Sequence, residues 1–151
     1  MRANWCLGVP GVLFAGMLFC APARATVSVA GGGFVQNSPS TAGGAVIVSS
    51  GASIPAFPLE LQGSLLVPLT KQGGYAATAE IRGFTGGGYG GAYIGAGAGV
   101  GDLSGDRTEG PILTVFAGKS IAKHTAIEVR LYRATSDGGA TAGFLGLRFS
   151  L

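Results

Sequence analysis

Apolar and polar residues alternate along several segments of this chain, and a period of two is typical of β-strands whose two faces meet different surroundings. Residues 126–132 read Ala-Ile-Glu-Val-Arg-Leu-Tyr, and residues 76–82 read Ala-Ala-Thr-Ala-Glu-Ile-Arg. Both segments carry a Glu-x-Arg unit on the polar face. In residues 57–67, leucine and valine alternate with Glu60, Gln62 and Ser64. The pattern predicts an all-β protein.

Clusters of turn-forming residues divide the chain after residue 25 into eight predicted strands. These strands span residues 26–36, 43–50, 57–67, 74–84, 89–100, 112–119, 125–134 and 141–151. The second of them has an alternative interpretation, because residues 43–55 could form the end of one long loop. The chain would then have seven strands.

The first 25 residues have the composition of a secretory signal peptide. A basic start is followed by an apolar run, and residues 21–25 read Ala-Pro-Ala-Arg-Ala, a small-x-small cleavage pattern. We predict cleavage after Ala25, which leaves residues 26–151 as one domain. An uncleaved anchor is disfavoured because Pro and Gly interrupt a short apolar run. A lipoprotein acylated at Cys20 is disfavoured because bulky Phe19 precedes that cysteine.

Loss of this segment changes the composition of the mature chain. Cys6 and Cys20 are the only cysteines, so neither a disulfide nor a thiolate site is expected in residues 26–151. Arg2 and Arg24 are also removed, which leaves eight basic and seven acidic residues. A nearly neutral chain gives no electrostatic reason to expect nucleic-acid binding.

The last residues of the chain alternate strictly, with Leu145, Leu147, Phe149 and Leu151 on one face. This ending resembles the terminal strand of Gram-negative outer-membrane β-barrels, whose C-terminal signature is read by the barrel-assembly machinery. Family members usually end in Phe, whereas here Phe149 stands two places before the final leucine. The resemblance assigns Leu147, Phe149 and Leu151 to the assembly signal.

Charged residues on the predicted polar faces occur in equal numbers of each sign. In a sandwich these faces would meet water, whereas in a membrane barrel they would line the lumen and the apolar faces would meet lipid. Convergence of the polar faces would bring together Glu60, Glu80, Arg82, Glu128, Arg130 and Arg148. Since buried charges require partners, we favour a self-neutralising lumen network. Four aromatic residues are expected to fill the remaining bore: Phe84, Tyr93, Tyr132 and Phe144.

Residues 86–100 are rich in glycine and match dinucleotide-loop spacings by chance, without the strand and helix that such a loop needs. As a strand, the segment places alanine, isoleucine and valine on one face and Tyr93 with three glycines on the other. Inward glycines would make room for large neighbours. A flexible low-complexity linker is the alternative.

Candidates for catalysis or metal binding are few. His124 is the only histidine and falls in a predicted turn, where solvation is the simplest interpretation. Lipid A deacylases are similar barrels with a His-x-Ser pair near the C-terminal strands, but Arg133 and Thr135 occupy the comparable positions here. We therefore predict no catalytic residues, no metal and no cofactor.

At the level of pattern, the mature chain resembles small outer-membrane barrels of the OmpX and OmpA transmembrane-domain type. The resemblance implies a closed antiparallel up-and-down transmembrane barrel. The partners it implies are outer-membrane lipid, lipopolysaccharide and, during insertion, the barrel-assembly machinery. It also implies a polar interior too narrow for a large pore. We expect a structural or minor channel role, with a soluble secreted or periplasmic β-domain as the alternative and a lipid A-modifying enzyme as a weaker one.

Overall fold

The computed structural model describes residues 25–54, 57–71, 74–86, 91–105, 109–135 and 139–151. These residues form eight strands, and the predicted signal peptide lies outside them apart from Ala25. The strands are β1 Ala25–Asn37, β2 Ser40–Ser53, β3 Leu59–Leu69, β4 Tyr75–Thr85, β5 Ala92–Asp102, β6 Gly110–Ala122, β7 Thr125–Ala134 and β8 Thr141–Ser150. No helix in the described part of the chain is long and apolar enough to cross a membrane.

Each strand pairs with the next in an antiparallel ladder, and β8 pairs with β1, so the sheet closes into an up-and-down barrel. The predicted closed eight-stranded fold is confirmed. The alternative of a long loop at residues 43–55 is wrong, because β2 begins at Ser40 and its register against β1 is continuous from Asn37 opposite Ser40. The two-residue connection leaves no room for such a loop.

The barrel has two ends, which are named here by their connections. The termini end holds the start of β1, the end of β8 and the connections β2–β3, β4–β5 and β6–β7. The loop end holds the connections β1–β2, β3–β4, β5–β6 and β7–β8.

Side chains alternate between the bore and the outer surface along every strand. In β7, Glu128, Arg130 and Tyr132 are buried, whereas Val129 and Leu131 are exposed. Large apolar side chains cover the outside of all eight strands, and Leu131 is 53% exposed. We call the following residues the apolar belt: Val27, Val29, Val35, Val48, Leu61, Val67, Leu69, Ile81, Ile94, Val100, Leu113, Val115, Ile121, Ile127, Val129, Leu131, Leu145, Leu147 and Phe149.

Glycines in β5 and β6 allow the sheet to hold bulky rings in a narrow bore. A methyl group at Gly95 would collide with the ring of Phe116 on β6. A methyl group at Gly118 would collide with the ring of Tyr93 on β5. The prediction that inward glycines make room for large neighbours is confirmed, and the linker interpretation is wrong for Ala92–Asp102, which is a paired strand.

Candidate functional site: a charged network inside the barrel

Six charged side chains from four strands meet inside the bore, nearest the termini end. They are Glu60 of β3, Glu80 and Arg82 of β4, Glu128 and Arg130 of β7, and Arg148 of β8. Each is at most 5% exposed, and Glu128 and Arg130 are completely buried. The structure thus brings together the six residues that the alternation pattern placed on the polar faces.

Four ion pairs join these groups. Arg82 Nη2 lies 2.6 Å from Glu60 Oε1, across neighbouring strands on which the two residues face each other directly. Arg130 pairs twice, through Nη1 with Glu80 Oε1 at 2.7 Å and through Nε with Glu128 Oε1 at 2.5 Å. Arg148 Nη1 lies 3.0 Å from Glu128 Oε2. Every one of the six charges therefore has a partner of opposite sign.

Gln62 closes the larger part of the network into a ring. Its Oε1 accepts a hydrogen bond of 3.0 Å from Arg148 Nη2, and its Nε2 donates to Glu80 Oε2. The ring therefore runs through Glu80, Arg130, Glu128, Arg148 and Gln62. Since β4 and β7 are not neighbours in the sheet, the bond between Arg130 and Glu80 crosses the bore and ties the two sides of the barrel together.

Hydroxyl groups donate further hydrogen bonds to the buried carboxylates. Glu80 accepts from Ser64 at 2.9 Å and from Thr78 at 2.6 Å, and Glu128 accepts from Tyr93 at 2.7 Å. Hydrogen bonds of this kind are what allow a buried carboxylate to remain ionised, because they replace part of its lost hydration. Sequence reasoning did not identify Thr78, and it treated Tyr93 only as a filler of space. Both residues lie at inward positions of the alternating pattern along β4 and β5, and this position was the only indication of their role in the sequence.

Aromatic rings cover the guanidinium planes. The Arg130 guanidinium carbon lies 4.3 Å from the ring centroid of Phe116, within the range of a cation–π interaction. Arg82 lies 4.9 Å from the centroid of Phe84 and 5.0 Å from that of Tyr93. The prediction that Phe84 fills the bore is wrong, because this side chain is 37% exposed at the termini end. It sits beyond Arg82 on β4, where the strand leaves the bore.

The other half of the bore is mainly apolar, which departs from the polar interior that the resemblance implied, although Gln36, Asp102 and Thr114 are buried toward this end. Tyr132 and Phe144 are buried there, as predicted. They belong to a continuous cluster that we call the apolar plug: Ala30, Phe34, Ala45, Ile47, Leu66, Ala76, Leu103, Ile112, Tyr132, Ala140, Ala142 and Phe144. Near the loop end, strands β2, β3 and β6 carry apolar residues on their inward and outward faces alike. The inward residues complete a small core.

The other residues considered from the sequence lie outside the network. Leu147 and Phe149 face outward from β8, and Leu151 follows the strand at the termini end. His124 is exposed in the β6–β7 turn, and Arg133 is exposed on the outer face of β7. No group of side chains in the described segments could hold a metal ion.

The chain matches known proteins by structure but not by sequence. No protein-family model matches it, and no curated protein matches it. Neisserial surface protein A (NspA) superposes with a TM-score of 0.62 at 15% identity, over 84% of this chain and 97% of that chain. The N-terminal β-barrel domain of Pseudomonas aeruginosa OprF gives 0.58 at 16% identity, over 83% and 97% of the two chains.

A third match is Ail, the attachment invasion locus protein of Yersinia pestis, with a TM-score of 0.54 at 10% identity, over 84% of this chain and 97% of that one. The chain has the fold of small outer-membrane β-barrels. The resemblance suspected from the C-terminal strand is therefore confirmed at the level of fold.

Removal of the central guanidinium should show how strongly the barrel depends on the network. Arg130→Met would leave Glu80 and Glu128 short of a counter-charge in a buried site, a change that costs about 3–5 kcal/mol. We expect the free energy of unfolding to fall by about that amount, as measured by urea denaturation of the refolded barrel in detergent micelles. The matched control is Arg133→Met, three residues along the same strand and exposed. It should change stability by about 0.5 kcal/mol or less, and equal losses in the two variants would contradict the role of the network.

Proposed function

We propose that the mature chain is an integral outer-membrane β-barrel that contributes to envelope structure and performs no catalysis. The observation that carries this proposal is the inverted distribution of side chains: ionised groups are buried in the bore, and the apolar belt is exposed around the barrel. Lipid stabilises such a surface, whereas water does not.

The positions of the outward-facing basic residues support a membrane setting. Lys119 and Arg133 are the basic side chains on the outer face of the described strands. Arg133 is the penultimate residue of β7, and Lys119 faces Ile127 near the termini end. A basic side chain costs about 2–4 kcal/mol at the bilayer midplane and about 0–1 kcal/mol near the interfaces. Both residues therefore occupy places that a bilayer tolerates.

The alternatives fit the structure less well. A soluble periplasmic or secreted β-domain would expose the whole apolar belt to water, while the largest apolar patch of a typical soluble monomer is only about 300–600 Å². A lipid A-modifying enzyme would need a nucleophile and a base on the outer face. The guanidinium of Arg133 does not act as a general base, and the Thr135 hydroxyl donates to the Pro111 carbonyl at 3.3 Å.

The remaining features of the proposal follow from membrane insertion. Residues 1–25 would direct export, and the apolar belt would contact outer-membrane lipid and lipopolysaccharide. Leu147, Phe149 and Leu151 would be recognised by the barrel-assembly machinery. The termini end would face the periplasm, and the loop end would face outward. No cofactor enters this proposal.

Cell fractionation with heat-modifiable gel migration tests the location. We expect the protein in the outer-membrane fraction, with the unheated sample migrating differently from the boiled one because the closed barrel resists detergent. N-terminal sequencing should begin at Thr26. Recovery of the mature protein in the soluble periplasm would overturn the membrane proposal.

Planar-bilayer recording separates a structural barrel from a channel. The apolar plug closes the loop-end half of the bore, and the charged ring crosses the other half, so we expect no steady conductance from the wild-type protein. A general porin incorporated into the same bilayers provides the positive control. Large, steady conductance steps would favour a channel and contradict the structural role.

A further inference from the structure

A cavity of about 180 Å³ opens at the termini end, above the charged network. Its walls come from every strand except β2 and from the β6–β7 turn, which contributes Lys123 and His124. Glu60, Arg82 and Arg148 line its inner part. The apolar plug contributes no residue to this lining, so the cavity is a blind pocket and not one half of a pore.

Positive charge exceeds negative charge in the lining. Arg82, Arg148 and Lys123 carry three positive charges, and Glu60 carries the one carboxylate. Glu128 offsets part of the charge of Arg148 from deeper in the bore, through the contact at 3.0 Å. Lys123 has no such offset, because no carboxylate of the described residues lies within ion-pair distance of its ammonium group. The mouth of the cavity therefore attracts anions.

Two buried donors in the lining have no protein acceptor among the described residues. They are the Nε–H groups of Arg82 and Arg148. Arg82 donates through Nη2 to Glu60, and Arg148 donates through Nη1 to Glu128 and through Nη2 to Gln62. A buried donor without an acceptor is costly, so the two guanidinium groups that line the cavity keep hydrogen-bonding capacity that the described residues do not satisfy.

The cavity also has an apolar side, formed by Phe84, Tyr93, Ala122 and Ala126. Its volume exceeds the roughly 150 Å³ of an engineered apolar cavity that binds benzene. A ligand that fills this space would combine one anionic group with a compact apolar body.

We propose that this cavity binds a small organic acid, with its carboxylate toward Arg82, Arg148 and Lys123 and its apolar body against Phe84 and Tyr93. Binding of the acid to this cavity does not depend on the medium that surrounds the barrel. The assignment of the site to the periplasmic side rests on the proposed membrane orientation.

Isothermal titration calorimetry on the detergent-solubilised protein tests the proposal with three probes. Benzoate carries both the charge and the ring, benzyl alcohol keeps the ring without the charge, and inorganic phosphate keeps the charge without the ring. We expect saturable binding of benzoate that is at least tenfold tighter than that of either other probe. Amide chemical shifts of His124 and Ser150, which line the cavity, should change on addition of benzoate.

Two matched variants locate the site. Lys123→Gln removes the rim charge without touching the buried network, and should weaken benzoate binding by about two- to fivefold. Lys71→Gln removes the same charge at the loop end and should leave the affinity unchanged. Absence of saturable benzoate binding would overturn the proposal, as would equal affinities for benzoate and benzyl alcohol or equal effects of the two variants. If the protein binds benzoate but is recovered in the periplasm, the membrane proposal is contradicted and the binding site is still supported.

Discussion

The pairing of buried charges is the constraint on which the barrel depends. Arg130 is completely buried and contacts two carboxylates, one beside it on β7 and one on β4 across the bore. A shift of either strand by one residue would turn its charged side chains outward and break the ion pair between Arg130 and Glu80. The network therefore favours one register and the closed barrel together.

The two halves of the narrow bore are filled by different kinds of side chain. Near the termini end, ion pairs, hydroxyl donors and aromatic rings surround every charge. Near the loop end, the apolar plug fills the space mainly with hydrocarbon side chains, together with the phenol of Tyr132. Glycines on β5 and β6 admit the rings of Phe116 and Tyr93 against the charged groups. A bore filled in this way agrees with the proposed structural role, and the cavity at the termini end lies beyond the charged network.

Alternation along the chain was enough to predict the eight strands and the facing of all six charged residues, because the side-chain period of a strand fixes the face. It does not fix the height of a residue along the bore. For that reason the apolar plug, the exposure of Phe84 at the mouth and the hydroxyl donation by Thr78 could not be predicted. The cross-bore bond between Arg130 and Glu80 depends on barrel closure, which local sequence does not encode.

The most direct test of the account is which medium surrounds the apolar belt. Residues 26–151 contain no cysteine, so a single cysteine introduced at Leu131 in that segment can carry a nitroxide label, and one at Lys123 in the exposed turn serves as the reference. In reconstituted vesicles, the Leu131 label should collide readily with oxygen and rarely with a water-soluble nickel chelate, with the opposite result at Lys123. Equal access of the nickel chelate to both labels would contradict a lipid-facing belt around a charged interior.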